Sequence, residues 1–329
     1  MRFPIAIVTA LAALCVAAGA PAQTRVRLAH ATAESHPFHR HAVMFKEAVE
    51  KKTGGKVQVQ IFSNRQLGDD RQILEATVAG TLDASLASSV LYPLVVKKAG
   101  FDALQLPFLI SSYDNLAKLL TSPEAQALLD DLSSAGLKGL SIGEGGMRHF
   151  LSAKGPVTKA ADFKGLKTRI VPVPLHKAIW EAAGVSPVGI AYGEVYTSLQ
   201  THVIDAVEIN ASSVNGENLW EPAKHLTLTG HYFWPGVISY NKGRFERLPA
   251  EIQKALVDAG REVVTPQVMF AKNDEASATE ELRKKGVNVY KFADLAQMRT
   301  QTRPILEQWS AKDKSIAVLV GVANKLEAR

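Results

Sequence analysis

Between Lys56 and Phe62 apolar and polar residues alternate, as Val57-Gln58-Val59-Gln60-Ile61. A period of two predicts a strand with one buried face. Upstream, Val26 to Ala31 predicts a strand, and Pro37 to Lys52 a helix that Gly54-Gly55 stops. Downstream, Asp69-Asp70 opens a helix running to about Gly80, with negative charge at its positive end. Leu82 to Ala87 predicts a further strand. The first third thus reads β-α-β-α-β, the order of an open sheet with crossover helices.

The same order returns later. Strands are predicted over Leu166 to Val171, Ser186 to Ile190 and Asp205 to Asn210, with helices over Pro174 to Ala183 and Gly193 to His202 between them. Two strand-like passes, Leu226 to His231 and Gly236 to Asn241, stand where the chain can cross back between the two units. A long helical pattern starts at Pro249, a favoured first-turn residue. It continues to Lys285, so Pro266 is expected to kink it rather than end it. A strand over Val287 to Lys291 and one or two helices complete the chain. Two α/β units without a long linker predict a cleft between them, a usual place for a small ligand.

The amino terminus breaks the pattern. Met1-Arg2 carries positive charge, Ile5 to Ala18 is almost unbroken apolar sequence, and Ala20-Pro21-Ala22 has the A-x-A form of a cleavage site. These are the marks of a secretory signal cleaved near Ala22. The apolar run is shorter than the ~20 residues a membrane span needs. The only cysteine, Cys15, lies inside it, behind a bulky Leu14 that does not suit a lipoprotein signal. The exported chain then has no disulfide and no thiol chemistry.

Composition adds less. With 47% hydrophobic and 21% charged residues the chain is an ordinary globular one, so its stability rests on a core. Removing Arg2 from the 38 basic residues leaves 37 against 32 acidic ones, a net charge of +5. The basic residues are dispersed, as in Lys51-Lys52, Lys97-Lys98 and Lys284-Lys285, rather than gathered in the patch a nucleic acid would need. A mild positive field suits a small anion.

Several stretches carry candidate chemistry. Gly139-Leu140-Ser141-Ile142-Gly143 matches G-x-S-x-G, and Asp205 and His231 follow in the chain order of a hydrolase triad. An exported serine hydrolase using Ser141 is therefore the alternative function. Its context argues against it, because Glu144-Gly145-Gly146 is a poor helix start and Leu140 and Ile142 alternate with Ser141 as in a plain strand. His36, His39 and His41 cluster, but His41 falls off the helix face of the other two and no Cys or acidic ligand flanks them. A solvated helix start is expected there rather than zinc. His36, just before Pro37, is placed to face a cleft. Gly143-Glu144-Gly145-Gly146 lacks the spacing of a phosphate-binding motif and reads as a turn between two strands.

The arginines are better candidates. Lys167, Arg169 and Val171 share one face of their strand. Arg169 lies either on a wet sheet face beside Lys167 or, at the strand's C-terminal end, where open α/β sheets bind ligands. Arg148 stands similarly, just after the glycine turn. A guanidinium fork matches a carboxylate bidentately. Spacing leaves both readings open.

A series of motifs then enters in order: "QLGDDRQILE" from Gln66, "GTLDASLASS" from Gly80, "LPFLI" from Leu106 and "GMRHF" from Gly146. The densest are "DFKGLKTRIVPVP" from Asp162 and "GVSPVGIAYGEVYTSLQTHVIDAVE" from Gly184 to Glu208. Together they cover nearly the whole mature chain, which resembles the substrate-binding proteins of TRAP (tripartite ATP-independent periplasmic) transporters, in the dicarboxylate-type branch.

The resemblance implies an α/β, two-lobed periplasmic-binding-protein fold with mixed sheets, crossing strands and a long kinked helix linking the lobes. The expected division is a signal at 1–22, lobe I over 23–145 with about 236–275, and lobe II over 146–235 with about 276–329. It implies capture of a small organic acid in the periplasm and delivery to TRAP permease membrane subunits, by a monomer with no catalysis, cofactor or metal. Arg169 matches the family's main carboxylate-binding arginine and Arg148 an assisting one. Tyr192 matches an aromatic pocket position, Ser88 a polar contact, His36 the first strand–helix junction, and Trp234 follows the strand returning near the cleft.

One departure matters. Many members place Asn or Trp after the Glu of "DAVE", where Ile209 stands here, followed by Asn210. Strand neighbours face opposite ways, so that contact is lost or passes to Asn210, which argues against a sialic-acid type of ligand. Ser88 also replaces an acidic contact seen in some sugar-acid binders. A uronate or aldonate, and a 2-oxo or hydroxy acid with an apolar tail, both remain open. So does a receptor that feeds a signalling partner instead of a permease.

Overall fold

The computed structural model describes residues 23–328. The expected secretory signal at 1–22 lies outside the described residues. Eleven strands are present among those described: β1 Thr24–Ala29, β2 Val57–Phe62, β3 Ala84–Ser88, β4 Leu137–Glu144, β5 His149–Ser152, β6 Lys167–Ile170, β7 Ser186–Gly189, β8 Ala206–Ile209, β9 His225–Leu228, β10 Pro235–Asn241 and β11 Asn288–Lys291. They form two sheets, β2-β1-β3-β10-β4 and β11-β9-β5-β8-β6-β7. Both are mixed. In the first, β1 runs parallel to β2 and β3, while β10 is antiparallel to β3 and β4. In the second, β6 is parallel to β7 and β8, whereas β5 is antiparallel to β8 and β9.

Local sequence explains the elements that frame the cleft. In β2, Val57 and Val59 are buried while Gln58 and Gln60 are exposed, as the alternation predicts. The helix Pro37–Lys52 buries Phe38, Ala42, Phe45 and Val49, a single stripe at helical spacing. The helix Asp70–Val78 starts in a capping box formed by Asp69 and Gln72. Both helices follow first-sheet strands, so their N-termini and the strands' C-terminal ends face the same side.

The chain crosses between sheets three times: from β4 to β5, from β9 to β10, and along the helix Val264–Lys284 into β11. Gly143 and Glu144 end β4 and Gly145-Gly146 begin the passage to β5, so the segment lies between two strands as expected, but strands of different sheets. Glu144 ties two crossings together, its Oε1 accepting the N–H of Gly146 at 2.6 Å and of Trp234 at 2.9 Å. Gly146 needs to be glycine: its φ is +127°, and a Cβ there would stand 2.8 Å from Asn210 Nδ2.

The long helix also differs from expectation. It breaks at Val263 into Ala250–Glu262 and Val264–Lys284, three residues before Pro266. Pro266 sits in the first turn of the second segment, where its missing N–H has no partner to lose. Pro249 is the N-cap of the first segment rather than a first-turn residue. The last helix, Lys314–Glu327, packs against Tyr113–Leu120 and Pro123–Asp131, on the first sheet's side.

Candidate functional site

A cavity of about 400 Å³ opens between the sheets. Asp69 and Asp70 face it from the first sheet's helix N-terminus, Arg169, Tyr192 and Glu194 from the second sheet's side, and Trp234 from the crossing segment. Arg169 is the centre of interest. It is only 2% exposed, and its Nε donates to the Ile190 carbonyl at 2.9 Å. That bond fixes the plane of the guanidinium. Neither terminal nitrogen has a protein acceptor among the described residues, and no carboxylate lies within 4 Å. Burial holds its pKa down to about 10, opposed by Glu208 and reinforced by Arg148. The group stays charged at neutral pH with its fork uncommitted.

Lys167 does not join it. Although on the same nominal face, Lys167 is exposed at the far end of β6, where its backbone N–H donates to Asp205 at 3.0 Å. The sheet is wet at that end and closed by the cavity at the other, so Lys167 and Arg169 stand in different surroundings.

Arg148 is spoken for. Its Nε donates to Glu208 Oε2 at 2.7 Å, its Nη2 to the Glu208 carbonyl at 2.6 Å, and its guanidinium lies 4.7 Å from the Trp234 ring centre. Burial opposes the Glu208 charge, but Arg148, His231 and His176 outweigh it and hold the carboxyl below its ordinary range. Glu208 thus pairs with Arg148 and acts on Arg169 only through space, while Arg148 repels Arg169. Glu208→Gln would keep the shape and remove the charge. It should cost about 2 kcal/mol of stability, the worth of hydrogen bonds to charged groups, read as a lower urea midpoint with unchanged slope.

The remaining candidates form a layer behind the wall. Ser88 Oγ accepts from Trp234 Nε1 at 2.8 Å and Gln105 Nε2 at 3.2 Å, so it holds the indole that faces the cavity. Asn210 Nδ2 donates to the Gly145 carbonyl at 2.7 Å and lies 3.2 Å from His36 Nε2, which also meets Ser213 Oγ at 3.2 Å. Asn210 Oδ1 and the Tyr192 hydroxyl are buried without a hydrogen-bond partner. Such orphans are rare in a finished core. Ile209 is fully buried.

Other expectations are corrected. His36 and His41 are buried, at 1% and 0% exposure, so the helix start is not solvated. His41 Nε2 instead meets Ser141 Oγ at 2.9 Å, a bond across 100 residues. Ser141 is 1% exposed in β4. Its supposed partners are elsewhere: Asp205 caps β6, and His231 Nδ1 bonds Thr229 at 2.7 Å. A triad is not assembled and no substrate reaches the serine. Sequence reading missed Glu208 as a partner and treated Asp69-Asp70 only as a helix cap. Asp70 is pushed up to about 7 by burial and by Asp69, against a hydrogen bond from the Ser88 N–H and the Arg169 charge.

A larger basin of about 550 Å³ lies at the opposite end of the first sheet, but its arginines are exposed and Arg244 is pinned to Asp83 at 2.7 Å. The cavity at Arg169 is the one with a buried, uncommitted charge. The family described as bacterial extracellular solute-binding protein, family 7, matches residues 28–313. The chain belongs to that family.

As a family 7 solute-binding protein it is also of the TRAP type that its motifs resemble. It is 34% identical over 89% of its length to a solute-binding protein of Verminephrobacter eiseniae, of which it covers 87%. It is 30% identical to a C4-dicarboxylate-binding periplasmic protein of Rhodobacter capsulatus, over 84% of each. A TRAP periplasmic solute-binding protein of Bradyrhizobium, solved with galacturonate, superposes with a TM-score of 0.85 at 27% identity, over 91% of this chain and 99% of that one. The two-lobed fold with mixed sheets and a long bent helix is thereby confirmed. Among the described residues no helix is long and apolar enough to cross a membrane.

Proposed function

We propose that this family 7 protein captures a hydroxylated monocarboxylate in the periplasm and delivers it, as a monomer, to TRAP permease subunits. The observation that carries the reading is the buried Arg169 fork, uncommitted and facing the cavity. A ligand carboxylate there forms two parallel charge-assisted bonds and relieves the repulsion between Arg169 and Arg148. Tyr192 and Trp234 offer the ligand aromatic faces, with Asn210 in the layer behind them. Arg148, Ser88 and His36 support these residues.

The far wall narrows the class. Asp69, Asp70 and Glu194 put carboxyl groups around the rest of the cavity. A second carboxylate on the ligand would meet the like charges of Asp69 and Glu194 there, whereas hydroxyls find acceptors. A uronate or aldonate therefore fits better than a C4-dicarboxylate. The proposed lobes are 23–145 with about 236–275, joined by the final helix, and 146–235 with the residues after about 276 that precede that helix. Ligand bridging the lobes shifts the population toward the closed form, which the permease reads.

A thermal-shift screen tests this. Uronates and aldonates should raise the melting temperature by several degrees at millimolar concentration, and succinate and malate should not. A larger shift with the dicarboxylates would overturn the class assignment.

A further inference from the structure

Outside the recognition residues, one cluster joins the two sheets at the rim of the cavity. Arg65, in the loop after β2, donates Nη1 to Glu217 Oε1 at 3.1 Å and Nη2 to Glu217 Oε2 at 2.8 Å. The two residues are 152 positions apart and belong to opposite sheets' sides. The arginine is braced from behind, Nη1 also donating to the Ala31 carbonyl and Nη2 to Asn64 Oδ1, each at 3.0 Å. Asn64 and Arg65 both have positive φ, +50° and +62°, a conformation non-glycine residues seldom take twice in succession. The loop is held in this form so that the guanidinium reaches across.

Its position ties it to the cavity. The Arg65 guanidinium lies 5.6 Å from the centre of the Tyr192 ring, which lines the cavity. Next to it, Asp69 Oδ2 accepts the Gly193 N–H at 3.0 Å, a second bond across the same mouth. A Cβ on Gly193 would stand 3.0 Å from Arg65 Cδ, so the arginine stem rests on bare backbone. The Arg65 and Glu217 side chains are 27% and 12% exposed, so water screens the pair only partly.

We propose that Arg65 and Glu217 form a latch across the mouth of the cavity, which sets how long the lobes stay closed and leaves recognition of the acid to other residues. A fork-to-fork pair is directional, so it forms in the closed arrangement and is lost when the lobes part. Arg65 is a positioning residue in this role.

The test uses the mature chain without added ligand, so it is independent of which acid binds. Because that chain has no native cysteine, Lys51→Cys and Gln200→Cys can be spin-labelled, one on each side, and the distance distribution read by double electron–electron resonance. Arg65→Ala should move the open-to-closed ratio toward open by roughly 1.4- to fivefold, the range for a surface ion pair. The exchanged pair Arg65→Glu with Glu217→Arg should restore the closed population. An unchanged distribution in Arg65→Ala overturns the latch. Opening that the exchange fails to reverse also overturns it, since the effect then belongs to Arg65's bonds within its own loop.

Discussion

Arg169→Ala should bind the cognate acid roughly two to four orders of magnitude more weakly than the native protein, as measured by calorimetry. The arithmetic is that of a buried charge left without its partner, about 3–5 kcal/mol. In the native site the guanidinium plane is already fixed by the Ile190 carbonyl, so little order is lost when the carboxylate docks. The alanine variant offers the desolvated carboxylate no donor at that point. Arg169→Lys should recover little, because one ammonium cannot bond Ile190 and still present a fork. The free protein should not suffer in parallel. Arg169 makes one hydrogen bond and is repelled by Arg148, so its removal should leave the melting temperature within a few degrees of native. Binding within threefold of native would sink the clamp.

The parts of this site that the sequence made legible are those whose cause is local. Arg169 stood out because a charge at the C-terminal end of a short apolar strand has few explanations, and Tyr192 and Trp234 do line the same cavity. The β-α-β-α-β order of both units was readable from periodicity and glycine stops. Glu208 was visible as part of a motif, but its pairing with Arg148 joins residues 60 apart on antiparallel strands, and register is not written in either segment. The Ser141–His41 contact has the same origin. Alternation showed Ser141 to be a strand residue, but not which helix would cover it. Arg65 left no signal at all, being one arginine in a polar loop whose two positive-φ residues are not glycine. The helix break at Val263 was misplaced because proline was taken as the break itself, whereas helices tolerate proline just inside a start.

The largest response to solution conditions should be a fall in stability on mild acidification. Five imidazoles are buried and pushed down from an unfolded value near 6.5: His30, His36, His41 and His176 to about 3, and His231 to about 4. Burial is the first cause in each. A depressed folded pKa means stability that is fully present above about pH 6.5 and lost as pH falls toward the folded values. Three carboxyls act the other way. Burial raises Asp70 to about 7, Asp102 to about 6 and Glu144 to about 8, so each holds its proton in the folded state and costs stability as pH rises through its window. Between about pH 4.5 and 6, five groups oppose three. The net uptake of two protons on unfolding corresponds to at most about 3 kcal/mol per pH unit. Above pH 6.5 the histidines are silent, while Asp70 and Glu144 still lose protons, so stability should decline gently toward pH 8. Scanning calorimetry from pH 4.5 to 8.5 should therefore give a maximum melting temperature between about pH 6 and 7, with the steeper limb on the acid side. A flat acid limb would mean that the buried imidazoles are already charged in the folded protein. His176 and His231 are the ones to inspect then, because they lie 3.7 and 3.8 Å from Glu208 and have the anion at hand to carry a proton.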